Sequence, residues 1–299
     1  MKIVSLLPSA TEIVFALGLE DALAGVSFEC DFPPAARSKP VVSGTALPTD
    51  RPLTARQIDD AVTEKMAEQE PIYTLDAALI AAINPDLILA QDLCRVCAVP
   101  SGAVDEALAV LGCRAEVLSL DPTGLDEVIG CIGLVGEITG AASRAAALME
   151  DLRDRVERAR GAVAGRSRPR TFALEWSDPP FNGGHWVPDM VDAAGGEALL
   201  ADAGQPSRRM SWDEIAGADP EVVVFMPCGY GLDEAVAEGQ TLLDVPELRG
   251  VGRIYAANAN ALFSRPGPRV VDGVEALAWA LHPDVVAPPP TGVMQTLRP

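Results

Sequence analysis

Two cysteines at CxxC spacing are the first candidates for chemistry in this chain. Cys94 and Cys97 stand in the stretch AQDLCRVCAVPSG, residues 90–102. Thiols at this spacing serve as half of a zinc site, as a thioredoxin-like redox pair, or as a structural pair within a loop. A further interpretation is that they lie on the rim of a binding cleft, as thiols or as a disulfide, and touch a ligand there.

The surroundings of the two cysteines favour the rim interpretation. A structural zinc site needs four ligands, but the chain has no second CxxC and only two histidines, His185 and His282. His282, in LHPD, is expected at the surface, so a composite metal site would use Cys94, Cys97 and His185. A redox CxxC usually opens a helix after the first strand of a small domain, whereas here it follows a later strand and Pro100 delays the next helix. A composite metal site, a thiol redox enzyme and a purely structural pair remain as alternatives.

His185 lies in the motif NGGHWVP, residues 182–188. The two glycines permit an unusual backbone path and the close approach of a ligand. A neutral imidazole at this position would ligate a soft or borderline metal centre that the ligand carries. The alternative is that the ring makes a hydrogen bond within its own loop.

Aromatic side chains are concentrated in the segments that follow predicted strands, although only 5% of the chain is aromatic. These rings are Phe28, Phe32, Trp176, Phe181, Trp186, Tyr230 and Phe263. Rings outside the core alternation suit a flat, partly apolar ligand, while some of them are expected to cap the cores instead. Polar side chains in the same segments would anchor such a ligand: Glu29, Asp31, Asp92, Glu175, Arg265 and Arg269.

Alternating strands and helices in the first half must position these segments. Strands are predicted at 2–7, 23–27, 86–90 and 115–120, and helices near 10–18, 54–69, 75–83 and 102–111. The polar region 45–73 is expected to form a loop and a solvated helix. The pattern predicts a parallel sheet covered on both faces, with ligands beyond the carboxyl ends of its strands.

The second half repeats the pattern. Strands are predicted at 171–176, 221–226 and 253–258, and helices after Pro188 and at 270–283. LDAALIAAINPDLILA (75–90) and MSWDEIAGADPEVVVF (210–225) align without gaps at an offset of 135, each reading as a helix, an (Asn/Asp)-Pro turn and a buried strand. TEIVFALG (11–18) and PDMVDAAG (188–195) match more loosely.

Apolar residues recur at helical spacing from Leu125 to about Ala164. One continuous helix over this stretch would be roughly 55 Å long, and the economical interpretation is that it joins two lobes. The alternative is two helices broken near Gly140. We therefore predict an N-terminal α/β lobe at 1–124, a linking helix at 125–165 and a C-terminal α/β lobe at 166–299.

The segment MKIVSLLPSATEIVFALG reads as a strand and a helix rather than as a signal peptide, because Pro8 and Glu12 interrupt its apolar run. Ser9 and Glu12 are expected to form a capping box. No export signal is visible and no apolar run reaches the roughly 20 residues of a membrane span. The chain as written is therefore expected in the cytoplasm, without membrane insertion.

Composition excludes several classes of partner. The formal charge is −20 and the isoelectric point about 4.4, so nucleic acid and anionic lipid surfaces would be repelled. Six cysteines are too few for a disulfide scaffold in a chain of 299 residues, and Cys113 and Cys131 are expected to be buried. No G-x-S-x-G, H-E-x-x-H, P-loop or strand-borne G-x-G-x-x-G occurs, which argues against an enzyme and a catalytic cofactor.

Several motifs resemble the helical-backbone metal receptors, the substrate-binding proteins of ABC importers for cobalamin, haem and ferric siderophores. They are the opening KIVSLLPSATEIVFALG, the central NPDLILA, the lobe-linking helix and the terminal SRPGPRVVDGVEALAWALHP. The S-L-x-P-S-x-T-E opening is most similar to the cobalamin-binding branch. The resemblance covers nearly the whole chain and implies two Rossmann-like lobes with parallel sheets joined by one long helix, as in class III periplasmic binding proteins.

The resemblance also implies a monomeric, non-enzymatic protein that holds cobalamin or a related corrinoid in the cleft, with an ABC permease as partner or a role as an intracellular carrier. Family members are usually periplasmic or anchored outside the membrane. Haem, a siderophore or a bare metal at Cys94, Cys97 and His185 are the alternative ligands. By local match the ligand contacts are Phe28, Glu29, Asp31, Phe32, Asp92, Leu93, Cys94, Cys97, Trp176, His185, Trp186, Cys228, Tyr230, Arg265 and Arg269.

Overall fold

A computed structural model describes residues 1–48, 52–68, 70–93, 102 and 115–299. Cys94, Cys97, Cys113 and all but one residue of the predicted helix at 102–111 lie outside this set. The chain folds into two compact units. Unit 1 comprises residues 1–122 and 130–148, and unit 2 comprises residues 123–129 and 149–299.

Unit 1 is built on a four-stranded sheet of order β2-β1-β5-β6, in which every neighbouring pair is parallel. A separate antiparallel pair, β3 and β4, lies at the two ends of the region 45–73, predicted as a loop and a solvated helix. The four predicted strands and the described predicted helices are confirmed. The strands are β1 Ile3–Ser5, β2 Leu23–Val26, β3 Ser43–Thr45, β4 Tyr73–Leu75, β5 Leu87–Ala90 and β6 Glu116–Ser119. The helices are α1 Pro8–Ala16, α2 Ala55–Glu68 and α3 Ala77–Ile83, with a 3₁₀ turn at Pro34–Ser38.

Unit 2 carries a six-stranded sheet of order β12-β11-β10-β7-β8, with β9 also paired to β7. The predicted strands β7, β10 and β11 are parallel and central, whereas the unpredicted β8 and β12 are antiparallel additions at the edges. The strands are β7 Arg170–Ser177, β8 Pro180–Asn182, β9 Glu197–Ala198, β10 Val222–Phe225, β11 Arg253–Ala257 and β12 Met294–Arg298. The helices are α6 Val187–Ala193, α7 Trp212–Gly217, α8 Leu232–Leu242, α9 Ala259–Leu262 and α10 Val270–Leu281, with a 3₁₀ turn at Pro246–Leu248.

The internal repeat is confirmed down to individual backbone angles. Asn84 and Asp219 stand 135 residues apart, and both adopt the left-handed conformation, at φ 50° and 51°. Each ends a helix directly before a proline, and the strand that follows occupies the equivalent place in its sheet. Asp76 and Ser211, also 135 apart, cap the N-termini of α3 and α7 with their side chains.

The segment from 125 to 164 is two helices rather than one, so the prediction of a single long helix is wrong. They are α4, Leu125–Ile138, and α5, Ala142–Ala162. Gly140 adopts φ 72°, and the amides of Ala141 and Gly140 donate to the carbonyls of Gly136 and Glu137. This is a Schellman motif, which ends a helix at a left-handed glycine. Hydrophobic periodicity continued through the break because the next helix also presents an apolar face.

Two carboxylates hold the N-terminus of α4 within unit 2. Asp189 of α6 accepts a hydrogen bond from the Leu125 amide at 3.0 Å. Glu127 accepts from the Thr123 amide at 2.7 Å and from the Thr123 hydroxyl at 2.8 Å, and these bonds lower the pKa of the Glu127 carboxyl. Both acids lie where the unpaired amides of a helix start favour negative charge.

Two smaller expectations are also wrong. Ser9 does not cap α1, because that helix begins at Pro8 and its N-cap residue is Leu7, which makes no side-chain cap. His282 is only 4% exposed, and its Nε2 lies 3.2 Å from the Gly195 carbonyl oxygen, so it is a core residue at the end of α10. No helix among the described residues is long and apolar enough to cross a membrane.

Candidate functional site

Two aromatic rings meet at the carboxyl end of the sheet in unit 2. Trp176 stands near the end of β7 and Tyr230 in the loop after β10, and these strands are neighbours in the sheet. Their ring centroids lie 5.6 Å apart at an interplanar angle of 75°, an edge-to-face contact. Both side chains are half-buried, so part of each ring remains available to a ligand. The sequence prediction that places these two rings at strand ends is confirmed.

Glu238, on α8, is hydrogen-bonded to Tyr230 and to Ser177, the residue that follows Trp176. Its carboxylate accepts a short hydrogen bond from the Ser177 hydroxyl at the end of β7 and is hydrogen-bonded to the Tyr230 phenol. Burial, the charge and hydrogen bond of Glu238, and the more distant charge of Glu234 raise the pKa of Tyr230 to about 12. Tyr230 is therefore a neutral phenol that donates to Glu238, which fixes the orientation of its ring.

Replacing Glu238 with Gln should bring the pKa of Tyr230 down from about 12 toward its ordinary value. The substitution removes the nearby negative charge, whereas burial of the phenol persists, so part of the shift should remain. Tyrosinate absorbance measured against pH gives the result, and Tyr230→Phe identifies the signal among the three tyrosines. The matched control Glu234→Gln should produce a smaller change. Equal changes for the two variants would contradict the hydrogen bond to Glu238.

The loop that carries His185 is held against a second loop by backbone hydrogen bonds. The His185 amide donates to the Gln205 carbonyl at 2.6 Å, and the His185 carbonyl accepts from the Gly204 amide at 3.0 Å. Gly184 donates to the Ser207 hydroxyl at 3.2 Å. His185 itself adopts φ 51°, a conformation that costs a non-glycine residue free energy and persists only where its surroundings impose it.

The side chain of His185 is half-buried, and burial lowers the pKa of its imidazole. The ring is therefore neutral at neutral pH, the form that ligates metals. Beside it, the half-buried Glu175 carboxylate accepts hydrogen bonds from the Ser207 hydroxyl and the Gly184 amide. Burial outweighs these two bonds and raises the pKa of Glu175.

Trp186 and Arg265 are much less accessible than the other predicted contacts in unit 2. The Trp186 side chain is 6% exposed, and its indole N–H donates to the Phe263 carbonyl at 2.9 Å. Arg265 is 7% exposed, whereas Arg269 and Cys228 are half-buried. Trp186 therefore packs mainly within its own unit, as expected for some of the rings.

In unit 1, Phe28 and Phe32 follow β2 and are each 41% exposed. The Phe28 ring lies 6.2 Å from that of Tyr73. Asp31 forms an ion pair with Arg37 at 3.8 Å, and Glu29 beside it is half-buried. The loop after β2 therefore presents two apolar rings on a polar surface.

Asp92 and Leu93 begin the loop that follows β5. Their amides donate to one oxygen of Asp121, at 2.6 and 2.8 Å, and the Asp92 carboxylate accepts from the Ser119 hydroxyl at 3.2 Å. The loop therefore starts in a fixed direction at the carboxyl end of its strand. Cys94 and Cys97 come next and lie outside the described residues, so their predicted roles stay predictions.

Sequence reasoning missed Glu238 and Ser207, which support the site through Tyr230 and Glu175. Both are ordinary polar residues far along the chain from their partners, and no local spacing singles them out. The described cysteines Cys30, Cys131 and Cys228 are free thiols, of which Cys131 is buried as expected. Over the described ranges, no group of three His, Cys, Asp or Glu could hold a metal ion.

Solved structures with this fold include periplasmic binding proteins. The periplasmic vitamin B12 binding protein BtuF of Vibrio cholerae superposes with a TM-score of 0.67 at 25% identity, covering 94% of this chain and 96% of that one. A periplasmic heme binding protein from Pseudomonas aeruginosa gives a TM-score of 0.73 at 23% identity, covering 100% and 99% of the two chains. The predicted α/β class with two Rossmann-like lobes is confirmed, apart from the single linking helix.

The chain belongs to the periplasmic binding protein family, whose model matches residues 3–251. A cobalamin-binding protein of Halobacterium salinarum is 26% identical over 288 residues, which are 94% of this chain and 69% of that protein. A vitamin B12-binding protein of Yersinia pestis is 26% identical over 273 residues, or 90% and 82% of the two chains. The resemblance to the cobalamin-binding branch of metal receptors is thereby confirmed, and the cytoplasmic location expected from residues 1–18 stays a prediction.

Proposed function

We propose that this protein binds cobalamin or a related corrinoid and releases it chemically unchanged. The observation that carries the proposal is the pair formed by Trp176 and Tyr230, held at 5.6 Å at the end of the sheet in unit 2. Half-buried rings, of which Tyr230 is fixed by its hydrogen bond to Glu238, offer apolar area to a macrocycle at little entropic cost. Relatives that are similar over 90% or more of this chain are named cobalamin-binding or vitamin B12-binding proteins.

Phe28 and Phe32 support the same proposal from unit 1. Large apolar side chains that are 41% exposed suit a ligand with an extended apolar face. We infer that Asp31, Asp92, Leu93, Cys228 and Arg269 are the polar and peripheral contacts, because each lies in a segment that follows a strand of its own unit, as the rings do. Trp186 and Arg265, being nearly buried, would then support these loops more than they touch the ligand.

Titration with cyanocobalamin and hydroxocobalamin tests the proposal, with the visible bands of the corrinoid as the readout. Wild type should bind both, and Trp176→Leu should weaken binding by at least about tenfold, as for the central aromatic residue of an interface. The control Trp212→Leu removes a half-buried ring at the start of α7 and should leave affinity unchanged. No binding of either corrinoid at high micromolar concentration would overturn the proposal.

Haem is the second candidate, favoured by the half-buried, neutral imidazole of His185. Haemin added to the protein would then give a spectrum of histidine-ligated iron that His185→Ala removes. If haemin binds and corrinoids do not, the ligand is haem and the receptor role stands. A siderophore rests on the family resemblance, a bare metal on Cys94, Cys97 and His185 together, and a thiol redox reaction on the CxxC alone. Metal analysis of the purified protein, with Cys94→Ser and His185→Ala compared, tests the bare metal.

We infer that the biological role is that of the substrate-binding component of an ABC importer, with a permease as partner, or of a monomeric carrier. Membership of the periplasmic binding protein family supports this role over catalysis. Incubation with cyanocobalamin, followed by chromatography of the released corrinoid, should return it unaltered. A modified corrinoid would instead indicate an enzyme.

A further inference from the structure

The first turn of α1 contains polar groups without partners. Leu7, at the N-cap, makes no side-chain cap, and Pro8 has no amide hydrogen. The amides of Ser9 and Ala10 donate to no described residue, and the first backbone bond of the helix is that of the Thr11 amide to the Leu7 carbonyl, at 3.3 Å. A buried helix start normally satisfies such amides with a side chain or a ligand.

The hydroxyl of Ser9 adds a third unpartnered group to this turn. Ser9 is 1% exposed, and across the described residues only Ser9 and Ser43 have a buried side-chain oxygen without a hydrogen-bond partner. A buried hydroxyl left unpaired costs stability in a free protein. Ser9 differs from Ser43 in lying beside two further unpartnered donors at the start of a helix, whereas Ser43 lies in the strand β3.

The position of this turn in the sheet favours a ligand. α1 follows β1 directly, and β1 is flanked by β2 and β5 in the order β2-β1-β5-β6. The direction of strand progression reverses between β1 and β5, and open α/β sheets bind ligands beyond the carboxyl ends of the strands at such a point. The nine-residue helix also directs the positive end of its dipole there.

We propose that the Ser9 hydroxyl and the amides of Ser9 and Ala10 bind an oxygen acceptor of the ligand. The inference deepens the proposed function and rests on it. A corrinoid offers two sources of this chemistry, the amide carbonyls of its ring substituents and the phosphate of its nucleotide tail. Three donors in one turn at a helix N-terminus complement either oxygen.

Two serine variants and two corrinoids test the inference. Ser9→Ala should weaken cyanocobalamin binding by about fivefold or more, which is the loss of one hydrogen bond. It should also raise the melting temperature of the free protein, because an unpaired buried hydroxyl is removed. The matched control Ser43→Ala also removes an unpaired buried hydroxyl, and should raise the melting temperature with no change in affinity.

Cobinamide, which lacks the nucleotide and its phosphate, identifies the acceptor. If Ser9→Ala weakens binding of cyanocobalamin but not of cobinamide, the acceptor is the phosphate; if it weakens both, the acceptor is a ring carbonyl. Either result supports the inference. Unchanged affinity for both ligands in Ser9→Ala, while wild type binds them, overturns this inference alone, whereas a wild type that binds neither corrinoid overturns it together with the proposed function.

Discussion

Replacing Trp186 with Ala should lower the free energy of unfolding by about 3–5 kcal/mol, the usual cost of truncating a buried aromatic ring. The ring is 6% exposed and lies at the start of α6, so its removal leaves a cavity that the short helix cannot fill. The Phe263 carbonyl would also lose the hydrogen bond that it accepts from the indole N–H at 2.9 Å. Urea denaturation followed by far-ultraviolet circular dichroism measures the loss.

Two controls separate packing from ligand contact. Trp186→Phe keeps a ring but leaves the Phe263 carbonyl unpaired, and should cost about 1–3 kcal/mol. Trp176→Leu should show the reverse pattern, with a smaller loss of stability and a large loss of corrinoid affinity. An unfolding midpoint of Trp186→Ala equal to that of wild type would show that Trp186 is not a core residue.

Gly184→Ala should cost about 3 kcal/mol through overpacking against backbone. A Cβ at this position would lie 2.6 Å from the Pro206 carbonyl carbon and 2.7 Å from the Gln205 carbonyl oxygen, and would also meet the Ser207 amide nitrogen. Backbone atoms cannot move aside without breaking the bond between the His185 amide and the Gln205 carbonyl. The substitution should therefore both destabilise unit 2 and displace His185.

Urea denaturation measures the first effect, and proton NMR of the imidazoles measures the second. The chain has two histidines, so the signal of His185 should move while that of the buried His282 stays. Gly217→Ala is the matched control, since a Cβ there meets nothing within 4 Å at the end of α7. A Gly184→Ala variant with the stability of Gly217→Ala and an unmoved His185 signal would refute the close packing of the two loops.

The central strands and the repeat could be predicted because strong local signals specify them. β5 and β10 are continuous apolar runs that are buried throughout, and each is preceded by an (Asn/Asp)-Pro turn. Proline disfavours the α conformation in the residue before it, so the chain must leave the helix there. Asn84 and Asp219 do so in the left-handed region, which short polar side chains tolerate.

The helix break and the capping of α1 could not be predicted by the same means. Gly140 costs a helix only about 1 kcal/mol, so periodicity alone favoured continuation over a Schellman turn. Ser9 and Glu12 match the capping box in sequence, but Pro8 is already the first helical residue, which moves Ser9 inside the first turn. In both places a single residue, Gly140 in the left-handed conformation or Pro8 at the first helical position, outweighs the longer pattern around it.

The candidate site was predicted at the level of loops but not of individual contacts. Strand ends placed Trp176 and Tyr230 correctly, because β7 and β10 are neighbours. Sequence could not separate Trp176 from Trp186, since one lies at the end of a strand and the other shortly after a strand, and only packing buries Trp186. Glu238 is one of 43 acidic residues, and its role emerges only when α8 folds back onto the end of β7.

Each of the two units is made of two separate stretches of the chain, so the units cannot be separated by cleavage at one place. Residues 123–129 belong to unit 2 and residues 130–148 to unit 1, so neither unit is one uninterrupted stretch. A fragment starting at residue 149 would lose Leu125 and Asp126, which bond to Asp189 at 3.0 Å and to Arg153 at 2.8 Å. Cleavage of the backbone at one position therefore cannot release either unit intact. A proteolytic nick in the turn at 139–141 should instead yield two pieces that stay associated and co-elute until denatured.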